Sequence, residues 1–138
     1  MGQLDGRCLC GKVTYHCDGE PMATLLCHCT DCQRQTGTAF SIVVGVEREA
    51  LHVDGAVGSF TTVGEDTGEA VHRQFCTACG SPIVSLPDAT PDLAFIKAGT
   101  LNDRSWLEPE MEIWCRSAHP YVTFDDELRG QFARSVPI

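Results

Sequence analysis

Nine cysteines dominate this 138-residue chain, and seven of them stand in three tight clusters. Cys8-Leu9-Cys10 is a C-x-C pair, Cys27-His28-Cys29-Thr30-Asp31-Cys32 is a C-x-C-x-x-C run, and Cys76-Thr77-Ala78-Cys79-Gly80 is a C-x-x-C pair followed by glycine. Cys17 and Cys115 stand alone. An odd count rules out complete internal disulfide pairing. Disulfide frameworks scatter their cysteines to bridge distant segments. A metal ion gathers them, because each sulfur must come within about 2.3 Å of one centre. The clustering therefore favours metal ligation.

The rest of the composition narrows the field. A chain of 15.0 kDa is predicted to be a single domain, residues 1–138, with a real hydrophobic core. Its N-terminus lacks the basic-then-apolar pattern of a secretory signal, which predicts a cytoplasmic protein with reduced thiols. No apolar run approaches the roughly 20 residues of a membrane span. Ten basic against nineteen acidic residues give a net charge of −9. Nucleic acids and anionic membranes call for a basic face, so neither is expected as a partner.

Hydropathy alternates over short runs. Gly11–Cys17 reads as a strand with Val13, Tyr15 and Cys17 on its buried face. Further strands are predicted at 39–46, 51–53, 59–63, 71–75, 81–86, 93–98, 112–114 and 121–124, with a polar hairpin loop at 64–69. One short helix is expected from Thr30 to Gln35, stopped by Gly37. Many short strands with frequent turns make the fold mostly β.

Seven clustered thiols divide naturally into four and three. Cys8, Cys10, Cys76 and Cys79 would complete the closed tetrahedron of a structural zinc. They would staple together two points separated by 65 residues. Cys27, Cys29 and Cys32 supply three ligands and leave one position open, as in catalytic zinc sites. A fourth ligand such as His28, His119 or another cysteine would instead close the site. A dithiol redox pair at Cys29 and Cys32 is the remaining alternative. All-thiolate ligation without a ferredoxin spacing favours zinc over iron. Because the middle residue of an extended C-x-C points away from its flanks, His28 is expected to be an outer neighbour or solvent-facing. His16, His52 and His72 lie in strand segments with no cluster around them in the sequence, and each is expected to be a surface or core histidine rather than a site residue.

These motifs resemble the glutathione-dependent formaldehyde-activating enzyme family, whose relatives include centromere protein V. The likeness is carried by Gly6-Arg7-Cys8-Leu9-Cys10-Gly11, by Cys27-His28-Cys29 with Cys32-Gln33-Arg34 and Gly37, and by Phe75-Cys76 with Cys79-Gly80-Ser81. Met111-Glu112-Ile113-Trp114, Ser117 and Pro120-Tyr121 continue it, so it spans about residues 2–122. The resemblance implies a β-tent of small antiparallel sheets stapled by zinc. It implies two zinc ions, one at Cys8, Cys10, Cys76 and Cys79 and a second at Cys27, Cys29 and Cys32. The implied activity is that of a carbon–sulfur lyase, joining glutathione and formaldehyde as S-hydroxymethylglutathione. The implied partner is a small thiol or thiol adduct.

Two residues outside the clusters are candidates for the chemistry. Arg34 could bind a substrate carboxylate, and His119 could carry a proton. Trp114 and Tyr121 could wall a pocket, with core packing the stronger expectation for Trp114. Filling both sites with seven thiolates and two zinc ions would take the charge from −9 to −12, which speaks against a chromatin-type role. Two other readings compete: a non-catalytic zinc-binding module, and a thiol-redox enzyme like the methionine sulfoxide reductases, with Cys115 as its late reactive thiol. If the four-cysteine staple holds the domain, Cys76→Ser abolishes the cooperative unfolding transition. Circular dichroism beside elemental analysis checks this, and a cooperatively folded, zinc-poor variant would refute the staple.

Overall fold

The computed structural model describes residues 4–122 and 130–133. Short alternating segments become short strands, and two sheets carry them. The smaller sheet contains β1 (Asp5–Arg7), β2 (Thr14–Cys17) and β5 (Leu51–Asp54), in the order β1-β2-β5 and all antiparallel. The larger contains β3 (Ala23–Cys27), β4 (Ser41–Glu47), β6 (Val57–Val63), β7 (Ala70–Cys76), β8 (Pro82–Pro87), β9 (Leu93–Lys97), β10 (Met111–Ile113) and β11 (Gly130–Gln131). Its order is β11-β10-β3-β4-β9-β8-β7-β6.

Among the described residues the fold is mostly β with one α-helix, as the alternation predicts. The larger sheet departs from a purely antiparallel layout, because β10 runs parallel to both β3 and β11. The long excursion from β3 to β10 through β4–β9 permits the parallel alignment, which a tight turn could not. Val122 is irregular and Tyr121 lies in a turn; residues 123 and 124 of the predicted 121–124 strand fall outside the described residues.

Helix α1 (Thr30–Thr36) follows from its ends. Cys29 is the N-cap, and its sulfur accepts the Cys32 N–H at 3.2 Å. Gly37, at φ 68°, closes the helix in the left-handed conformation that glycine adopts without steric penalty.

Val13, Tyr15 and Cys17 face the core as their spacing predicts, where they join Val44, Val46, Ile83, Val84 and Ile96 among others. Each fully buried aliphatic chain of this size contributes about 1.5–3 kcal/mol. β4 is buried from Val43 to Val46 and lies between β3 and β9 in the larger sheet, with Val44 and Val46 on its core face.

Gly55 turns the chain between β5 and β6 at φ 111°. A β-carbon there would collide with the Lys12 carbonyl oxygen and reach 3.0 Å from Val13 Cα, both of them backbone. Gly55→Ala is therefore expected to destabilise the domain by at least about 2 kcal/mol, from backbone strain plus overlap. Chemical denaturation of the variant checks this; a loss under about 0.5 kcal/mol would mean the turn can rearrange.

Candidate metal centres and the adjoining cleft

The first and third cysteine clusters form matching knuckles. Cys8 and Cys10 lie in the turn between β1 and β2, where Val13 N–H donates to Cys8 Sγ at 3.3 Å and Gly11 takes φ 82°. Cys76 ends β7 and Cys79 follows, with Ala78 N–H donating to Cys76 Sγ at 3.3 Å and Gly80 at φ 80°. Each glycine permits the sharp return that aims two sulfurs at one point. The knuckles are tied together by Leu9 N–H, which donates to Ser81 Oγ at 3.0 Å.

The four sulfurs converge, all within 4.8 Å of one another. Cys8 to Cys10 is 3.6 Å and Cys10 to Cys76 is 3.8 Å. Sulfurs placed tetrahedrally at about 2.3 Å from one ion stand about 3.8 Å apart. This donor set therefore fits a zinc ion. Cys79 is drawn down to about 5 by the Ser81 hydroxyl and backbone N–H, which stabilise its thiolate.

The second cluster is local. Cys27 ends β3, Cys29 caps α1 and Cys32 sits in its first turn. Their sulfurs also lie within 4.8 Å of one another, and among the described residues no fourth cysteine, histidine or carboxylate joins that group. Three soft donors with room for a fourth suit zinc, with one position left for another ligand.

Two cations that the sequence did not point to stand at this cluster. Arg73 on β7 and Lys97 at the end of β9 are both buried, at 8% and 6% exposure. Arg73 Nη1 donates to Cys32 Sγ at 3.7 Å and to Gln35 Oε1 at 3.1 Å, while its Nε donates to Thr62 Oγ1 at 3.0 Å. Lys97 Nζ lies 4.0 Å from Cys32 Sγ and donates to Ser41 Oγ at 3.0 Å. Cys32 is held far below the ordinary thiol range, first by hydrogen bonds from Cys27 and Cys29 and then by these two charges. Cys27 moves the opposite way, raised by its two neighbouring thiols and by burial. Nothing in the local sequence could flag Arg73 or Lys97, which lie 41 and 65 residues from Cys32.

Arg73 also lines a cleft of about 400 Å³, together with Asp31, Arg34, Phe60, Thr62 and Phe75. Arg34 is exposed at its rim. His119 lies beside helix α1: its Nε2 pairs with Gln33 Oε1 at 2.8 Å and its Nδ1 with the Tyr121 hydroxyl at 2.9 Å. Gln33 is fixed in turn by donating to the His28 and Ser117 carbonyls at 2.8 and 2.9 Å.

Other expectations meet different outcomes. His28 stays out of the cysteine group, as expected, but it is fully buried rather than solvent-facing, with Nε2 2.9 Å from Glu112 Oε1. Trp114 is half-buried, adopts a left-handed backbone at φ 59° and lies under the Arg116 guanidinium, so it is not part of the core. Tyr121 is 75% exposed and does not line the cleft. His16 and His52, isolated in the sequence, face one another across β2 and β5. His72 pairs with Asp88 and Thr61. No helix among the described residues is long and apolar enough to cross a membrane.

The model of the glutathione-dependent formaldehyde-activating enzymes matches residues 3–117, which include all three cysteine clusters. The chain belongs to this family. Two fungal proteins carrying the same family name are similar to it. The Aspergillus flavus protein is 27% identical over 91% of this chain and 69% of its own length. That of Penicillium rubens is 25% identical over 88% and 71%. The crystal structure of a Rhodobacter sphaeroides protein shares the fold, with a TM-score of 0.56 at 21% identity over 76% of this chain and 91% of that one.

Replacing a cation beside a thiolate raises the thiol pKa, so protons compete with metal at higher pH. Lys97→Met is therefore expected to lower the zinc affinity of the Cys27–Cys32 cluster by about 10-fold or more and to raise its half-release pH. The four-cysteine site should be unaffected. A chromophoric chelator titration across pH measures both sites in one sample, and equal release from the two would contradict the assignment.

Proposed function

We propose that the chain is a zinc-dependent carbon–sulfur lyase-type enzyme that joins a small thiol, glutathione in the family's named reaction, to formaldehyde. The observation that carries this reading is the three-sulfur cluster with two buried cations on Cys32, beside a cleft whose wall includes one of those cations and whose rim carries Arg34. Cys8, Cys10, Cys76 and Cys79 hold a structural zinc, and Cys27, Cys29 and Cys32 hold the second. A zinc ion in the second site supplies Lewis acidity that lowers the pKa of an incoming thiol and makes its thiolate available near neutral pH.

The chain's own residues do the remaining work. Three thiolates outweigh one divalent ion by a single negative charge; Arg73 and Lys97 more than offset it, so an anionic thiol can approach. Arg34 at the rim pairs with a carboxylate of the substrate, in the bidentate manner open to a guanidinium. Phe60 and Phe75 give the cleft apolar walls that limit water. As the C–S bond forms, the carbonyl electron pair moves to oxygen, which needs a proton. That proton is the one the thiol gives up, returned through water; His119, expected from the sequence to carry it, is held by Gln33 and Tyr121 beside α1 and is not among the residues that line the cleft.

Burial raises the Cys115 thiol above its ordinary value, and Glu112 adds to the effect. That environment opposes a reactive thiolate and favours the lyase reading over the redox one. The test is nuclear magnetic resonance of ¹³C-formaldehyde with glutathione, measuring S-hydroxymethylglutathione formation above the spontaneous rate. Cys32→Ser should lower the catalysed rate at least about 100-fold and remove one zinc. Cys115→Ser should leave the rate intact, and Arg34→Ala should raise KM more than it lowers kcat. Retention of both metal and turnover by Cys32→Ser would sink the assignment.

A further inference from the structure

Beyond the cysteine clusters, we propose that His16, Asp18 and His52 form a third metal site, on the solvent face of the β1-β2-β5 sheet, for a divalent transition ion such as Zn²⁺ or Ni²⁺. β2 alternates cleanly: Tyr15 and Cys17 face the core, and His16 faces water. His16 and His52 are direct register partners on β2 and β5. Cross-strand partners project from the same face, so the two imidazoles stand side by side. Their ring centroids are 4.8 Å apart at an interplanar angle of 26°. Asp18 lies just beyond the end of β2, its position fixed by a backbone N–H that donates to the Ala50 carbonyl at 2.9 Å.

The donor atoms converge on one place. Asp18 Oδ2 is 3.0 Å from His52 Nε2, and Asp18 Oδ1 is 3.8 Å from His16 Nε2. All three ligand atoms lie within 4.8 Å of one another. Nitrogen and oxygen ligands at about 2.1 Å from one ion, in tetrahedral or octahedral array, stand about 3.0–3.4 Å apart. The observed separations bracket that range, so small side-chain rotations complete the site. A hydrogen bond alone accounts for less of this arrangement, because it serves His52 and leaves His16 at 3.8 Å. One ion serves both rings.

The ligand chemistry names the class of ion. Two imidazoles and a carboxylate are borderline donors, suited to zinc, nickel or cobalt rather than to calcium or magnesium, which take oxygen. The three side chains are 57%, 50% and 69% exposed, so an ion enters without any rearrangement of the core and keeps open positions for water or another ligand. Asp5 stands opposite His16 on β1 and adds negative charge to the same face, while its carboxylate accepts from Asn102.

The test uses the full chain with its cysteine sites saturated in zinc and then desalted. Titration with Ni²⁺ in a calorimeter should show one further equivalent. His16→Ala or His52→Ala should each weaken it at least about tenfold, since loss of even an outer-sphere partner costs that much, and the double substitution should abolish it. Asp18→Asn should weaken it less, and His72→Ala should not change it. Native mass spectrometry of each variant should show the cysteine-bound zinc unchanged, which separates loss of this site from loss of the fold. The absence of a nickel equivalent in the unsubstituted chain, its survival in the double variant, or its dependence on His72 would overturn the proposal.

Discussion

Four sulfurs meeting at one point set the terms for everything around them. The knuckle before β2 and the knuckle after β7 belong to different sheets, and their only covalent link is the long run of chain between them. Bringing four thiols within 4.8 Å is costly unless a cation shares their charge, because neighbouring thiolates repel. The backbone prepares the meeting: each knuckle turns on a left-handed glycine and donates an N–H to one of its own sulfurs. The Leu9–Ser81 hydrogen bond joins the two knuckles directly. With the smaller sheet fixed in this way against the end of β7, Arg73 on that same strand is held in place for its own task three residues earlier.

That task belongs to the second cluster, which obeys a different logic. Its three thiols are close in sequence and need no long-range assembly, since the end of β3 and the first turn of α1 position them. What it draws from afar is charge. Arg73 and Lys97 reach Cys32 from two strands of the larger sheet, and each is held by a second, neutral partner, Gln35 and Ser41. Buried cations with nothing opposite them would be expensive, so their presence marks the cluster as anionic. The same guanidinium forms part of the cleft wall, linking the charge of the cysteine cluster to the surface a substrate would meet.

Much of this was legible along the chain where the physics is local. Helix α1 was readable because its stop signal, Gly37, acts within a single turn. β2 was readable because Val13, Tyr15 and Cys17 alternate. β3 was not, since Ala23–Cys27 is buried at four of its five positions and shows no period of two. The parallel pairing of β10 with β3 left no trace either, because Leu25 and Met111 meet only through the strand order. The histidines show the same limit: His16 and His52 look solitary until the register of β2 and β5 sets them face to face. His28 illustrates a half-success, for backbone geometry alone turned it from the cysteine group, but only the fold supplied Glu112 and buried it.

The sequence by itself determined the donors: seven thiols in three clusters, split four and three, with a short helix carrying the last of the three. Ligand identity and short-range spacing are covalent facts, and a soft ion reads them almost directly. The tertiary structure decided what surrounds those donors. It chose which distant cations stand over Cys32, tied His119 to Gln33, opened a cleft beside Arg34 and paired two remote histidines. Those outcomes depend on strand register and sheet order, which are settled by burial of the whole core and by no short segment of the chain.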